Sequence, residues 1–184
     1  GECFGARAAA SARHPIVGAD PAAATTQLGV PGPWHERLPH FRLDFTPSAG
    51  AELQSEYLLD RRDARAAIET LRALAPRIRP LLLVSEIRTV AADRLWMSPE
   101  YGRDSVAIHF TWKPDQGAVE RLLMSVEGAL EPFAPRPHWG KLFAAGAAEI
   151  AARYERRRDF AALLGRVDPR RAFVNDWLAR RVLG

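Results

Sequence analysis

The sequence predicts an α+β domain: an antiparallel sheet with helices on one face, in the order of a ferredoxin-like βαββαβ module, followed by a C-terminal helical tail. Three observations carry this. Segments of period-two alternation and of three-four apolar spacing succeed one another as strand, helix, strand, strand, helix and a short extended piece. Each strand has an apolar side and a side that turns polar partway along. The composition, 47% hydrophobic and 26% charged over 184 residues, is that of a soluble chain long enough to bury one core.

Residues 1–33 are rich in Ala, Pro, Gly and Thr without a period, and read as an extended or mobile arm. Leu53 to Leu59 alternates as a strand. Asp60 caps a helix from about Arg61 to Ala75, with Ala64, Ala67, Ile68, Leu71 and Leu74 on its apolar face and Pro76 ending it. Leu81 to Val90 is a second strand, Trp96 to Arg103 a loop, and Ser105 to Trp112 a third strand. Pro114 and Asp115 open a second helix with Val119, Leu122, Leu123, Val126 and Leu130 on one face; Pro132, Pro135 and Pro137 break it. A short extended piece follows near His138 to Phe143. The tail reads as helices over about 146–155, 157–166 and 170–182, with Asp168-Pro169 as a start signal for the last.

Composition also narrows the function classes. The longest apolar run, Leu81 to Val84, is strand-sized and far short of the ~18 residues of a membrane span. The start, Gly1-Glu2-Cys3, has neither the basic flank nor the apolar stretch of a signal peptide. A clipped chain and a cytoplasmic location are the expectation. One cysteine, Cys3, excludes an internal disulfide framework. The formal charge of +4 comes almost wholly from arginine, the two lysines being Lys113 and Lys141. The densest cluster, Arg156-Arg157-Arg158, has acidic neighbours Glu155 and Asp159, and reads as a solvated helix face rather than a nucleic-acid patch. His35, His40 and His138 do not have zinc-site spacing and read as structural or loop residues. Trp34, Trp96 and Trp139 stand beside Pro or Gly, or near them, and read as packing anchors.

Alternation puts Val106, Ile108, Phe110 and Trp112 on one side of the third strand and Ala107, His109 and Thr111 on the other. In the second strand Leu81, Leu83 and Ile87 fit the helix-packed side; Leu82, Val84, Glu86 and Arg88 fall opposite. In the first, Gln54 and Glu56 alternate against Leu53, Tyr57 and Leu59. Glu86, Arg88, His109 and Thr111 then converge on one open sheet face. Antiparallel sheets often carry a solvated polar face, and that reading stays open. Against it stands the mixture of carboxylate, guanidinium, imidazole and hydroxyl, which suits a polyol.

Several stretches carry a resemblance. They are Gly29 to Phe41 (GVPGPWHERLPHF), Leu53 to Tyr57 (LQSEY), Ser85 to Thr89 (SEIRT), Leu95-Trp96, Ser98-Pro99 and Tyr101 to Val106 (YGRDSV). The others are His109 to Trp112 (HFTW), Arg136 to Phe143 (RPHWGKLF) and Phe173 to Leu178 (FVNDWL). With these the chain resembles the C-terminal part of bacterial alditol (xylitol) oxidases, flavoproteins of the vanillyl-alcohol-oxidase type close to the aldonolactone oxidases. The resemblance implies FAD as cofactor and oxidation of the terminal alcohol of a sugar alcohol such as xylitol or sorbitol to an aldehyde, with O₂ giving hydrogen peroxide. It implies substrate contacts at Gln54, Glu86, Arg88, Thr111 and Lys141. Arg88, His109 and Lys141 would serve the chemistry: the cations stabilise developing charge and the imidazole accepts the hydroxyl proton.

No Gly-rich flavin loop or attachment histidine is visible. The resemblance therefore implies an arm over 1–33, a substrate-binding cap domain over 34–143 that is incomplete at its N-terminus, and a helical segment over 144–184. The FAD-binding domain would be absent from these residues and would be the partner of the open sheet face, which could also mediate a homo-oligomer. Two other readings stay open: an aldonolactone oxidase fragment, and a non-catalytic sugar-binding or interaction module. His109 as a satisfied half-buried histidine, Lys141 as a surface lysine, and Gln54 or Thr111 as ordinary strand polars are the bland alternatives.

Overall fold

The computed structural model describes residues 2–3, 5–14, 18–38 and 50–183. The chain divides into two compact units, Gly1–Glu52 and Leu53–Gly184. In the first, strand β1 (Glu2–Cys3) pairs antiparallel with β2 (Ala6–Arg7) around Gly5, whose φ of 81° is open to glycine without strain. Two 3₁₀ turns follow, Pro21–Ala23 and Trp34–Glu36. Local side-chain bonds tie the segment together. Gln27 brackets the Arg13 main chain, accepting from its N–H and donating to its carbonyl, and the Arg37 guanidinium donates to the carbonyls of Val30 and Pro31. His40 lies outside the described residues.

The second unit carries the expected module. Strand β3 (Leu53–Asp60) ends at a cap: Asp60 Oδ1 accepts from Arg62 N at 2.9 Å, and a 3₁₀ turn at Arg61–Asp63 leads into helix α1 (Ala64–Ala73). Helix α1 stops before Pro76, two residues short of the expected Ala75, but the proline does more than mark the stop. It sits in the first turn of a new helix, α2 (Ala75–Ile78), where its missing N–H leaves no bond unmade. Strand β4 (Leu82–Val90), strand β5 (Ser105–Trp112), helix α3 (Gln116–Leu130) and the short strand β6 (Arg136–Pro137) complete the set. Asp115 caps α3 by accepting from Ala118 N at 3.0 Å.

The sheet order is β4-β5-β3-β6, with every pairing antiparallel. That is the ferredoxin-like order. Central strand β5 is buried along its whole length. Its helix side (Val106, Ile108, Phe110, Trp112) forms the core with Ala67, Leu71, Val119, Leu122, Leu123, Val126 and Leu130. Phe110 stacks on Trp112 at 4.9 Å, and the indole N–H donates to Ser55 Oγ. The predicted apolar stripes of α1 and α3 are the ones that pack here. The face assignment in β4 needs correcting at its start. A register shift between Leu82 and Val84 sets Leu82 opposite Trp112, so Leu82 joins Leu81 on the core side and Leu83 is the extra residue. Ile87 has the expected side but is 56% exposed, because β4 is the edge strand.

The tail forms α4 (Ala147–Arg153), α5 (Arg157–Val167) and α6 (Asp176–Leu178), the last running into a π-turn at Ala179–Leu183. The expected helix from 170 begins only at Asp176. Asp168 instead accepts from the N–H groups of Ala172 and Phe173, closing a turn through Arg171 at φ 54°. Ile150 and Tyr154 pack with Ala145, Met97, Trp139 and Phe143. The buried Arg136 guanidinium donates to three carbonyls, those of Pro99, Tyr101 and Arg153. The arginine cluster lies on a largely solvated face, with two specific ties. Arg156 bonds Asp159 and lies over the Trp96 ring, and Arg157 donates to Val182 O.

One carboxylate fastens this tail to the sheet. Glu127 of α3 is buried and accepts from Tyr57 Oη at 2.7 Å, Ala144 N at 2.6 Å and Ala145 N at 2.7 Å. Burial, and then the Glu127 charge, raise the Tyr57 phenol well above its ordinary pKa. Removing the carboxylate strands three donors away from water, each costing ~1–3 kcal/mol if left unpaired. Glu127→Ala is therefore expected to lower stability by at least ~2 kcal/mol. An unfolding free energy from urea titration within ~0.5 kcal/mol of the parent would contradict this.

Candidate active site

Pairing register decides which side chains meet. Glu56 of β3, His109 of β5 and Glu86 of β4 stand opposite one another in one row across three strands. Gln54, Thr111 and Val84 form the next row on one side, and Leu58, Ala107 and Arg88 the next on the other. All share the face opposite the helices. The Glu86 and Arg88 side chains, two apart on β4, pair with each other, Arg88 Nη2 donating to Glu86 Oε2 at 2.5 Å.

Lys141 reaches this face through a break in pairing. His138 N donates to Glu56 O and Leu142 N donates to Gln54 O. The two acceptors are two residues apart and the two donors four apart, so two extra residues are looped out of the ladder. The turn closes with Lys141 N donating to His138 O at 3.1 Å. This bulge swings the Lys141 ammonium onto Glu56 Oε2 and to within 2.9 Å of His109 Nδ1. An ammonium only donates, so Nδ1 accepts and the ring hydrogen is assigned to Nε2, pointing to Thr111 Oγ1 at 3.1 Å.

The predicted residues Glu86, Arg88, His109, Thr111 and Lys141 are thus brought together. Gln54 lies on the same face, opposite Thr111. The face is not open at its middle, as the alternation alone suggested: Glu56, His109 and Thr111 are buried, while the Arg88 and Glu86 side chains at the sheet edge are each 38% exposed. Glu56 was visible on the correct side of its strand but was not picked out. Its carboxylate contacts Lys141, His109 Nδ1 at 3.2 Å and Arg88 Nη1 at 3.6 Å. The signal that could have found it is charge balance: Arg88, Lys141 and an imidazole on one face call for more than the single carboxylate of Glu86. His138 lies beside the site, its Nδ1 accepting from Gly140 N; burial, then the Lys141 charge, lower its pKa.

Burial alone would raise the Glu56 pKa. Hydrogen bonding and charge from His109 and Lys141 outweigh it and hold the group down from 4.5 to about 2, the His109 part requiring the imidazolium, whose Nδ1–H can donate to Oε2. A carboxyl depressed by folding adds stability that is complete above its unfolded pKa and is lost as pH falls through the folded one. Acid therefore erodes this contribution between about pH 4.5 and pH 2. Glu56→Gln cannot titrate, and is expected to flatten the stability-versus-pH curve in that window. Urea midpoints measured across it decide the point; identical slopes for parent and variant would refute the expectation.

Residues 51–181 match the family described as D-arabinono-1,4-lactone oxidase. The chain is 51% identical over 173 residues to an alditol oxidase of Streptomyces sp. (strain IKD472 / FERM P-14339), which covers 94% of this chain and 42% of that protein. It is 36% identical over 134 residues to an L-gulono-1,4-lactone dehydrogenase of Mycobacterium tuberculosis, covering 71% of this chain and 30% of that protein. The chain thus spans less than half the length of these relatives. The family match takes in Gln54, Glu56, Glu86, Arg88, His109 and Thr111 and the turn that delivers Lys141, and on it the chain belongs to the D-arabinono-1,4-lactone oxidase family.

Proposed function

We propose that this chain supplies the substrate-binding face of an FAD-dependent alditol oxidase, which converts the terminal alcohol of a sugar alcohol to an aldehyde while O₂ becomes hydrogen peroxide. The observation that carries this is the convergence of Arg88, Glu86, His109, Thr111 and Lys141 on one sheet face. The likeness to the Streptomyces alditol oxidase supports the polyol. FAD, held mainly by a domain outside these residues, would supply the hydride acceptor. Two cations on the face, Arg88 at its partly exposed edge and Lys141 beside Glu56 and His109, suit a group that gains negative charge.

Alcohol oxidation removes a proton as well as a hydride. His109 Nδ1 is the acceptor in this reading. The ammonium that occupies it at rest is the cation that a developing alkoxide attracts. As Lys141 shifts toward the substrate oxygen, the Nδ1 lone pair is freed for the hydroxyl hydrogen. Arg88 presents a fixed fork of donors to neighbouring hydroxyls, which a lysine does not reproduce. Glu86 accepts from a hydroxyl and keeps that fork oriented, and Gln54 and Thr111 hold the rest of the polyol chain. The likeness to an L-gulono-1,4-lactone dehydrogenase favours a second reading, oxidation of an aldonolactone by the same face.

Expressed from its full natural open reading frame, the protein is expected to release peroxide with xylitol and sorbitol faster than with aldonolactones. A lactone outpacing every polyol would move it to the second reading. Absence of turnover with either would return it to a non-catalytic sugar-binding module. Arg88→Lys and Glu86→Gln are each expected to lower kcat/KM at least ~100-fold, or ~2.7 kcal/mol of transition-state stabilisation. The same changes should shift folding stability by less than ~1 kcal/mol, as for an exposed pair. Large unfolding shifts with kcat/KM retained would mean that the pair is structural.

A further inference from the structure

We infer that Glu56 is the positioning residue of this site: a buried carboxylate that never meets substrate and acts by holding Lys141 and His109 in place and balancing their charge. Its kinetic consequence rests on the alcohol-oxidising reading; its effect on Lys141 does not.

The argument starts from exposure. The Glu56 side chain is 6% exposed, as little as His109 at 5%, against 38% for Arg88 and Glu86 and 16% for Lys141; what sets it apart from His109 is that both its oxygens already face cations of the site. One oxygen, Oε2, accepts from the Lys141 ammonium, which also donates to His109 Nδ1, itself 3.2 Å from that oxygen; the other, Oε1, faces Arg88 Nη1. The charged and titratable groups around it come from each neighbouring element: His109 on β5, Arg88 and Glu86 on β4, and Lys141 and His138 on the turn after β6.

Lys141 sits at the end of a flexible four-carbon stem on a looped-out turn, and such a stem loses rotamer freedom only where something holds its end. Glu56 is the anion that does so. The remaining carboxylate, Glu86, is already paired with Arg88. With Glu56 neutralised, the ammonium would keep one acceptor, His109 Nδ1, while facing the Arg88 guanidinium without a counter-ion. Glu56 also stands ready once chemistry begins. When Nδ1 has taken the hydroxyl proton, Oε2 lies 3.2 Å away to accept from the new N–H. The same oxygen that releases Lys141 toward the substrate thereby receives the imidazolium, and the buried charge stays balanced in both states.

The test uses the fact that the chain has two lysines, Lys113 and Lys141. In the full natural protein, reductive methylation followed by mass spectrometry of the two lysine peptides gives the Lys141:Lys113 labelling ratio. Glu56→Gln is expected to raise that ratio at least ~10-fold, because an amine freed from its counter-ion is no longer held at its end and swings out to the reagent. It should lower kcat at least ~100-fold with KM within ~3-fold. Glu56→Asp, whose shorter carboxylate reaches only one partner, should fall between on both measures, and it carries the test if Glu56→Gln does not fold. In a Lys141→Ala background, Glu56→Gln should cost less than ~3-fold in kcat. A labelling ratio unchanged in both variants, or a loss confined to KM, overturns the assignment. If the parent protein turns over neither polyol nor lactone, the alcohol-oxidising reading fails, and the labelling ratio alone decides the role of Glu56.

Discussion

An ionised carboxylate taken out of water must be met by cations and donors or the fold cannot hold it in that state. At Glu56 this constraint organises the whole polar face. Three cationic or imidazole side chains, from β4, β5 and the turn after β6, close on its two oxygens. The depressed pKa records the outcome: the charge of the partners and their hydrogen bonds more than offset burial. Each partner group is in turn fixed by something else. Arg88 is held by Glu86 and His109 by Thr111, while Lys141 is held by the main-chain bonds that bracket its turn. The site is a single network, and its geometry follows from the anion at its centre.

That network requires strand β5 to be buried on both sides with opposite chemistry. One side is a dry aliphatic and aromatic layer under the helices, ending in stacked Phe110 and Trp112. The other carries His109 and Thr111, polar yet hardly exposed. Low surrounding dielectric strengthens each bond there and also raises the cost of any that is missing. Groups of this kind suit differential work on a substrate, because charge created among them is felt strongly and is not diluted by water.

Much of this was legible in the sequence because it depends on periodicity. Parity along a strand put Glu86 with Arg88 and His109 with Thr111, and the three-four stripes of α1 and α3 named the core. What failed were the places where the chain breaks its own period. The register shift at Leu82 to Val84 reverses the side of Leu82, and nothing in four consecutive aliphatic residues announces it. Pro76 follows the end of α1 as a stop signal does, yet it also opens α2, because proline suits a first turn equally well. The helix expected from 170 gave way to side-chain bonds from Asp168, which compete with helix for the same N–H groups. Glu56 was missed for a different reason. An acidic residue alternating on a strand looks like any solvated position until the partner strands are placed. Lys141 came from the resemblance alone, since its approach depends on a bulge that spacing does not encode.

Two buried carboxylates of the second unit, Glu56 and Glu127, act on the same stretch of chain from opposite sides of the sheet. Glu56 and Tyr57 are neighbours on β3 and point to opposite faces. Glu56 takes the ammonium of Lys141, and its carbonyl receives His138 N. Tyr57 reaches Glu127, which receives the main-chain N–H groups of Ala144 and Ala145. Between them, Leu142 N returns to Gln54 O. The segment from His138 to Ala145 is therefore pinned at its start, at Lys141, at Leu142 and at its end: three of these four ties run to β3, and the fourth to a carboxylate that β3 itself holds. A looped-out turn fixed at so many points is a stiff arm rather than a free loop. This is how a lysine, the most mobile of the charged side chains in the cluster, can be delivered to one carboxylate oxygen and one imidazole nitrogen at once. It also separates two kinds of damage. Losing Glu127 loosens the arm at its far end and falls on the fold, whereas losing Glu56 leaves the arm in place and removes what its tip was built to meet.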